Sequence, residues 1–399
     1  MKAVMYGAGN IGRGFIAPLF SRSGYRVTFI DVNAKIVNSL NEKSTYPVRL
    51  LSNEGTEEIW IEGVSAVDGA NEQEVINCIA EADITATAVG TRLLPSIAPL
   101  IAGGLRKRFL SNKSPLNIIV CENLIDAGNY IAELISKNLD DAEIIQMKEK
   151  VGFVEASIGR MVPVQTPEMQ EGNSLRICTE EYSFLPVNKD AFVGEIPEIE
   201  GMVPFHNFDF YIQRKLFIHN MGHALCAYLG LLLGDAHISE TIARADVLFI
   251  VQNAMLESAS ALQKKFDVHL PDLLDHINDL LCRFNNRALK DTCARVGADI
   301  ERKLGKSDRF IGAMSCCMEQ GVTPVFISIG AAAATHCIIK QQGLEQSKVH
   351  AIGILEKISE LERDSDKARL ILNMYHIIER DNGMKKLLYF ALNTGKNRE

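Results

Sequence analysis

Short apolar runs alternate with amphipathic stretches through the first half of the chain. Residues 3–6 form a buried-strand pattern, and 11–23 carry apolar side chains at helical spacing until Gly24 stops them. A second strand is predicted over 26–30 and a second helix over 34–41. Further strands are predicted over 47–51, 58–61, 84–89 and 117–121, with helices following. The stretch 151–197 is rich in strand and turn signals and is expected to complete the sheet. This order predicts a mostly parallel, doubly wound α/β sheet.

After residue 204 the period changes. Apolar residues recur at helical spacing over 208–233, 240–264, 270–285 and 349–361. Nine of the 12 prolines lie before Met202, and all nine histidines lie after residue 205. Proline breaks helices, so its scarcity there supports a mostly α-helical second half. The expected domains are 1–200 and 201–399, with a frayed end at 394–399. A chain of 399 residues is long for a single core, which agrees with this division.

Composition adds exclusions. Apolar residues make up 47% and charged residues 23%, so a folded globular chain is expected rather than a disordered one. Net charge is −8 with no basic stripe, which argues against nucleic acid as a partner. The longest unbroken apolar run, 224–234, is short of the roughly 20 residues a membrane span needs, so no membrane partner is expected. Nine cysteines without a CxxC, and no secretory pattern at the start, point to reduced thiols and a cytoplasmic location.

The candidate chemistry begins at Gly7-Ala8-Gly9-Asn10-Ile11-Gly12. This is G-x-G-x-x-G placed directly after a strand and opening a helix, the context of a Rossmann-type dinucleotide site. Gly7 allows the tight turn, Gly9 lets a pyrophosphate approach the backbone, and Gly12 lets helix and strand pack closely. Helix-terminal N–H groups then face the phosphate. Asp31 closes the second strand, 22 residues beyond Gly9. A carboxylate there accepts from both ribose hydroxyls and repels a 2′-phosphate, so NAD is expected rather than NADP. The plain alternative for Asp31 is a helix cap. Val89 and Gly90 end a later strand at the sheet's carboxyl edge and are expected near the cofactor; the plain alternative is a turn.

The second half offers Lys215, His219, Asn220 and His223. At 100° per residue they fall within an arc of about 140° on one helix face. A solvated face or a satisfied internal network would also account for them. A metal site is the third reading, but H-E-x-x-H needs a glutamate where Asn220 stands, so no metal is expected.

These residues resemble the polyol-specific long-chain dehydrogenases, the mannitol dehydrogenase family. The resemblance is carried by the N-terminal glycine loop through Gly14 and Phe15, by Cys121-Glu122-Asn123-Leu124, and by Lys215-x4-Asn220-x2-His223. It continues through Arg283-Phe284-x-Asn286, Lys290-Asp291-Thr292, Arg295-Val296-Gly297, Asp308-Arg309-Phe310 and Glu319-Gln320-Gly321. The chain departs from the family's pattern at Gly159, at Arg287, where a proline is usual, and at Ala298-Asp299-Ile300.

The resemblance implies a Rossmann-type domain, a helical domain, catalysis in the cleft between them, and no metal. It implies NAD-dependent oxidation of a polyol phosphate, D-mannitol 1-phosphate to D-fructose 6-phosphate, by a monomer. Lys215 would be the general acid and base, Asn123 and Asn220 donors to the alkoxide, and His223 a substrate-orienting group. Arg283, Asn286 and Arg295 are candidates for the phosphate and outer hydroxyls. A mannitol 2-dehydrogenase or a hexuronate reductase of the same family is the nearest alternative. A non-catalytic NAD-binding sensor would keep the glycine loop and Asp31 without needing the lysine cluster.

Overall fold

Alternation along β1 (Lys2–Tyr6) sends Ala3 and Met5 to one side of a sheet and Val4 and Tyr6 to the other, and all four are buried. A strand apolar on both faces needs cover on both. The computed structural model, which describes residues 1–111, 113–381 and 384–394, supplies it. Phe15, Ile16, Leu19 and Phe20, from Gly12–Ile16 and Ala17–Arg22, join Ala3, Met5, Val27 and Phe29 in one core. Helices Glu72–Glu81, Leu94–Leu110 and Ala127–Ser136 send Val75, Ile79, Ile97, Ile101, Leu105 and Ile131 onto the other face.

Beyond β1, the strands are β2 (Arg26–Asp31), β3 (Thr45–Leu51), β4 (Thr56–Glu62), β5 (Ser65–Asp68), β6 (Ile84–Thr87) and β7 (Leu116–Val120). They continue with β8 (Val151–Glu155), β9 (Ile177–Glu180), β10 (Leu185–Asn188) and β11 (Met202–Phe205). Six of them form one sheet in the order β5-β2-β1-β6-β7-β8, every pairing parallel. Counted within the sheet this is the doubly wound order 3-2-1-4-5-6, with the switch point between β1 and β6.

Two details differ from the sequence expectation. β3 and β4 form a hairpin that pairs with β9 in a separate sheet, so they are not rungs of the main one. Of the 151–197 stretch only β8 completes the main sheet; β10 pairs with β11. The chain divides into two compact units, Met1–Phe208 and Asp209–Glu399.

The second unit is built around Met221–Leu233, which packs on Val325–Gln341, Ala245–Phe266 and Cys293–Gly297. Small residues let it in: a Cβ on Gly222 would stand 2.9 Å from the Met255 side chain. The helical run Asp209–Leu233 is long and apolar enough by composition to cross a membrane, but 67% of its most apolar window is buried inside the fold. That is the burial of a core helix. The expected 240–264 helix is two, Ile238–Ile242 and Ala245–Phe266, broken where Arg244 is extended. Of the expected frayed end, 395–399 lies outside the described residues.

Candidate active site

In the first unit the candidate residues lie at the carboxyl end of the parallel sheet. Gly7 leaves β1 with φ +102°, and a Cβ there would stand 2.6 Å from the Ala88 carbonyl oxygen. Only glycine takes that turn at low cost. A Cβ on Gly12 would collide with the Gly7 carbonyl oxygen, so the helix crosses the loop at backbone contact. The space a Gly9 Cβ would enter is open for 4 Å, the clearance that a pyrophosphate against the backbone requires. Gly12–Ile16 is wound as π-helix, a local feature often found at functional sites.

Asp31 closes the loop from the side. Its Oδ2 accepts from Ala8 N at 2.7 Å and its Oδ1 from Asn33 N at 2.9 Å. The cap of helix Ala34–Lys43 is Asn33, so the plain reading of Asp31 as the helix cap does not apply. A carboxylate has about four acceptor sites, so two remain for ribose hydroxyls. Asn10 donates to the Pro163 carbonyl at 3.2 Å. Buried Arg13 ties the loop down, with Nε on Ala8 O and Nη1 on Leu175 O, both at 2.6 Å.

Sequence reasoning gave no role to Glu122, though it stood in the quoted Cys121-Glu122-Asn123 run. Its buried carboxylate accepts from Val89 N and Gly90 N, both at 2.9 Å. The turn after β6 is therefore strapped to the turn after β7, and Val89 and Gly90 spend their N–H groups on it. Burial pushes the Glu122 pKa up, and the bonds from Val89, Gly90 and Thr87 only partly offset this. Asn123 follows, exposed, at the same edge of the sheet.

In the second unit the candidate residues lie on and around the Lys215 helix. Lys215–Asn220 is wound as π-helix between Asp209–Arg214 and Met221–Leu233. Its i→i+5 bonding puts an extra residue into the turn, so angles counted at 100° per residue do not hold across it. The four polar residues accordingly differ in burial: His219 is buried, while Lys215, Asn220 and His223 are half-buried. Burial lowers the His219 pKa well below the usual imidazole value. Arg283, His223, His276 and Lys215 add to the effect, which favours the neutral ring.

His223 stacks on Phe284, with centroids 4.8 Å apart and planes at 13°. Its Nε2 lies 3.3 Å from Asp291 Oδ2. Of the three phosphate candidates, Arg295 gives its fork to Asp291 in two bonds of 2.6 Å. Arg283 Nη1 donates to Asp279 at 3.1 Å, and Asn286 Oδ1 accepts from Ala288 N at 3.1 Å. Nearby, Arg287 and Lys290 line an open hollow with His237, Ser239 and Glu240. Among the described residues no three His, Cys, Asp or Glu side chains are grouped as metal ligands would be.

The sequence profile of the mannitol dehydrogenase Rossmann domain matches residues 1–201, and that of the mannitol dehydrogenase C-terminal domain matches residues 207–366. A mannitol-1-phosphate 5-dehydrogenase of Brevibacillus brevis is 37% identical over 334 residues, 84% of this chain and 85% of that one. Another, of Bacillus licheniformis, is 34% identical over 381 residues, 94% of this chain and 99% of its own. Among solved structures, Pseudomonas fluorescens mannitol 2-dehydrogenase in ternary complex with NAD and D-mannitol has a TM-score of 0.76. It is 15% identical, and the match covers 98% of this chain and 94% of that one. At that identity the likeness speaks for the fold.

Proposed function

The chain belongs to the mannitol dehydrogenase family, and from that we propose that it catalyses the reversible NAD-dependent oxidation of D-mannitol 1-phosphate to D-fructose 6-phosphate. One observation carries the reading. A glycine cradle closed by Asp31 occurs in the same chain as Lys215, Asn220 and His223, half-buried on one helical run whose Lys215–Asn220 turn is π-wound. The mannitol-1-phosphate 5-dehydrogenase relatives, matched over most of their length, favour the phosphorylated polyol over the alternatives within the family.

NAD would lie against Gly7–Gly12 with its ribose on Asp31, and when bound it supplies the hydride acceptor. The chain's own groups handle the proton and the charge. Neutral Lys215 takes the hydroxyl proton in oxidation and returns it in reduction. A free lysine titrates near 10.4, so the role requires the amine to be uncharged in the working complex. The carboxamides of Asn123 and Asn220 donate to the developing alkoxide, where fixed donors are each worth roughly 3 kcal/mol. His223 hydrogen-bonds a substrate hydroxyl. Arg283 and Asn286 take the phosphate end, with Arg295 acting there only through the N–H groups that Asp291 leaves it.

Steady-state oxidation of mannitol 1-phosphate beside unphosphorylated mannitol and aldonates tests the substrate. Preference for the phosphate supports the reading, and equal or greater turnover of mannitol overturns it. Lys215→Ala should lower turnover on the order of 10³-fold with NADH binding unchanged. Near-normal turnover would remove the lysine from the base role.

A further inference from the structure

Asp291 has no part in the mechanism so far, yet it is one of the most firmly held side chains of the second unit. Ile238 N donates to the Asp291 carbonyl at 2.9 Å, and Cys293 N donates to Ala236 O at 2.9 Å. His237 and Thr292 pair across the same short bridge. The backbone on both sides of Thr292 is thus clamped to the start of helix Ile238–Ile242 and the residues before it. The side chain is 8% exposed and accepts from Arg295 Nε on Oδ1 and from Arg295 Nη2 on Oδ2. Burial alone would raise the Asp291 pKa; the approach of His223 and the two bonds from Arg295 outweigh it and hold the group at about 2.

One of the two Asp291 oxygens, Oδ2, also faces His223. The His223 Nε2 atom is buried and has no aligned hydrogen-bond partner among the described residues; the Asp291 oxygen at 3.3 Å is the acceptor it approaches. Phe284 holds the plane of the ring by stacking, and His219 lies beside it with centroids 6.2 Å apart. Two ring contacts and one anion therefore fix the imidazole from three directions.

We infer that Asp291 is a positioning residue for His223: anchored by Arg295, it keeps the imidazole hydrogen on Nε2 and so leaves the Nδ1 lone pair for a substrate hydroxyl. The chemistry is that of an acceptor-only group. An ionised carboxylate cannot donate, so the nitrogen turned toward it must carry the hydrogen. No proton is gained or lost; the carboxylate selects a tautomer and an orientation. Catalytic contacts that are long in the free protein tighten in the working complex, and closing 3.3 Å to an ordinary hydrogen bond takes a few tenths of an ångström. Arg295 then serves the site through Asp291 as much as through any phosphate. The inference rests on the reading of His223 as a substrate-facing group.

Nitrogen-15 NMR of the full-length wild-type protein tests it directly, with the His223 resonances assigned by their absence from His223→Gln. The expected result, above the imidazole titration range, is the Nε2–H tautomer; an Nδ1–H tautomer overturns the inference whether or not any Asp291 variant folds. Asp291→Asn should lower kcat/KM on the order of 10- to 100-fold, the usual effect of removing a histidine's orienting partner. It should also mix the tautomers, while NADH affinity stays unchanged. Asp291→Glu should restore part of the loss. If His223→Gln itself turns over normally, the reading of His223 fails. If His223→Gln is impaired while Asp291→Asn is kinetically normal with its tautomer intact, only the present inference fails.

Discussion

Asp31 carries two tasks on one carboxylate. It holds the Ala8 N–H at 2.7 Å, inside a loop where Ala8 is fully buried, and it is the proposed ribose acceptor. Replacing it by alanine would leave the Ala8 N–H without its partner, which costs about 1–3 kcal/mol for a buried donor. It would also remove the negative charge that repels a 2′-phosphate. Asp31→Ala should therefore weaken NADH binding by about tenfold or more and narrow the gap between NADH and NADPH. Fluorescence titration with both cofactors measures this. An unchanged ratio of the two affinities would take Asp31 away from the ribose. Its position was legible because the fingerprint fixes it by chain order. The Glu122 strap was not, since a glutamate after a strand carries no signal until β6 and β7 are known to be neighbours. Asp291 escaped for the same reason: its partners His223 and Arg295 meet it only in the fold.

At the scale of elements, the helix that follows the glycine loop and the helix that carries Lys215 each contain a π segment, Gly12–Ile16 and Lys215–Asn220. The helices themselves were readable from apolar spacing, but an i→i+5 turn was not, because periodicity assumes the rotation that the turn alters. Strand β5 offered only Ala66 and Val67 as apolar residues within Ser65–Asp68, too little for a pattern. Val325–Gln341 failed in the opposite way: it is buried almost all round from Val325 to Thr335 and has no polar face to mark a period. The glycine loop itself makes a sharp prediction. Gly12 touches the Gly7 backbone, which cannot swing aside as a long side chain could. Gly12→Ala should lower stability by about 1–3 kcal/mol through overpacking and raise the NADH dissociation constant with it. Gly9→Ala, entering open space, should leave stability nearly unchanged while weakening the cofactor. Thermal melts and NADH titrations of the pair distinguish the two glycines. Equal melting temperatures would show that backbone contact at Gly12 is not limiting.

At the scale of the whole molecule, buried ionisable groups set opposing demands on pH. His276 is pushed down to about 3 by burial, with Arg214 and Arg283 adding to it, and its Nε2 has no hydrogen-bond partner among the described residues. His219 is lowered in the same sense. The unfolded chain binds these two protons from about pH 6.5 downward and the folded chain does not, so stability falls as pH drops below that point. Asp291, held at about 2, adds its own loss once pH falls below the ordinary aspartate range. Glu257 acts the other way. Burial raises it to about 8, although Phe326 N, Ile327 N and Val325 N bond its carboxylate. Glu122 is raised in the same direction. The folded chain keeps these protons where the unfolded chain has released them, so the Glu257 contribution is complete below the free-glutamate range and is lost as pH rises through 8, and that of Glu122 is lost in the same direction. Each proton of difference is worth ~1.4 kcal/mol per pH unit. Between the free-glutamate range and about 6.5 the histidines and the glutamates oppose each other, and below the free-glutamate range the histidines act unopposed; above 6.5 Glu257 acts toward loss, and Lys303, lowered to about 8 by burial, begins to oppose it only as pH nears 8. Melting temperature should therefore stay nearly level from the free-glutamate range to about pH 6.5 and decline below that range and toward pH 8. His276→Gln should flatten the acid limb and Glu257→Gln the alkaline limb, each leaving the other in place. A melting temperature that climbs steadily from pH 5 to pH 8 would show that Glu257 is ionised against the N-terminus of Val325–Gln341 throughout, with the helix dipole prevailing over burial.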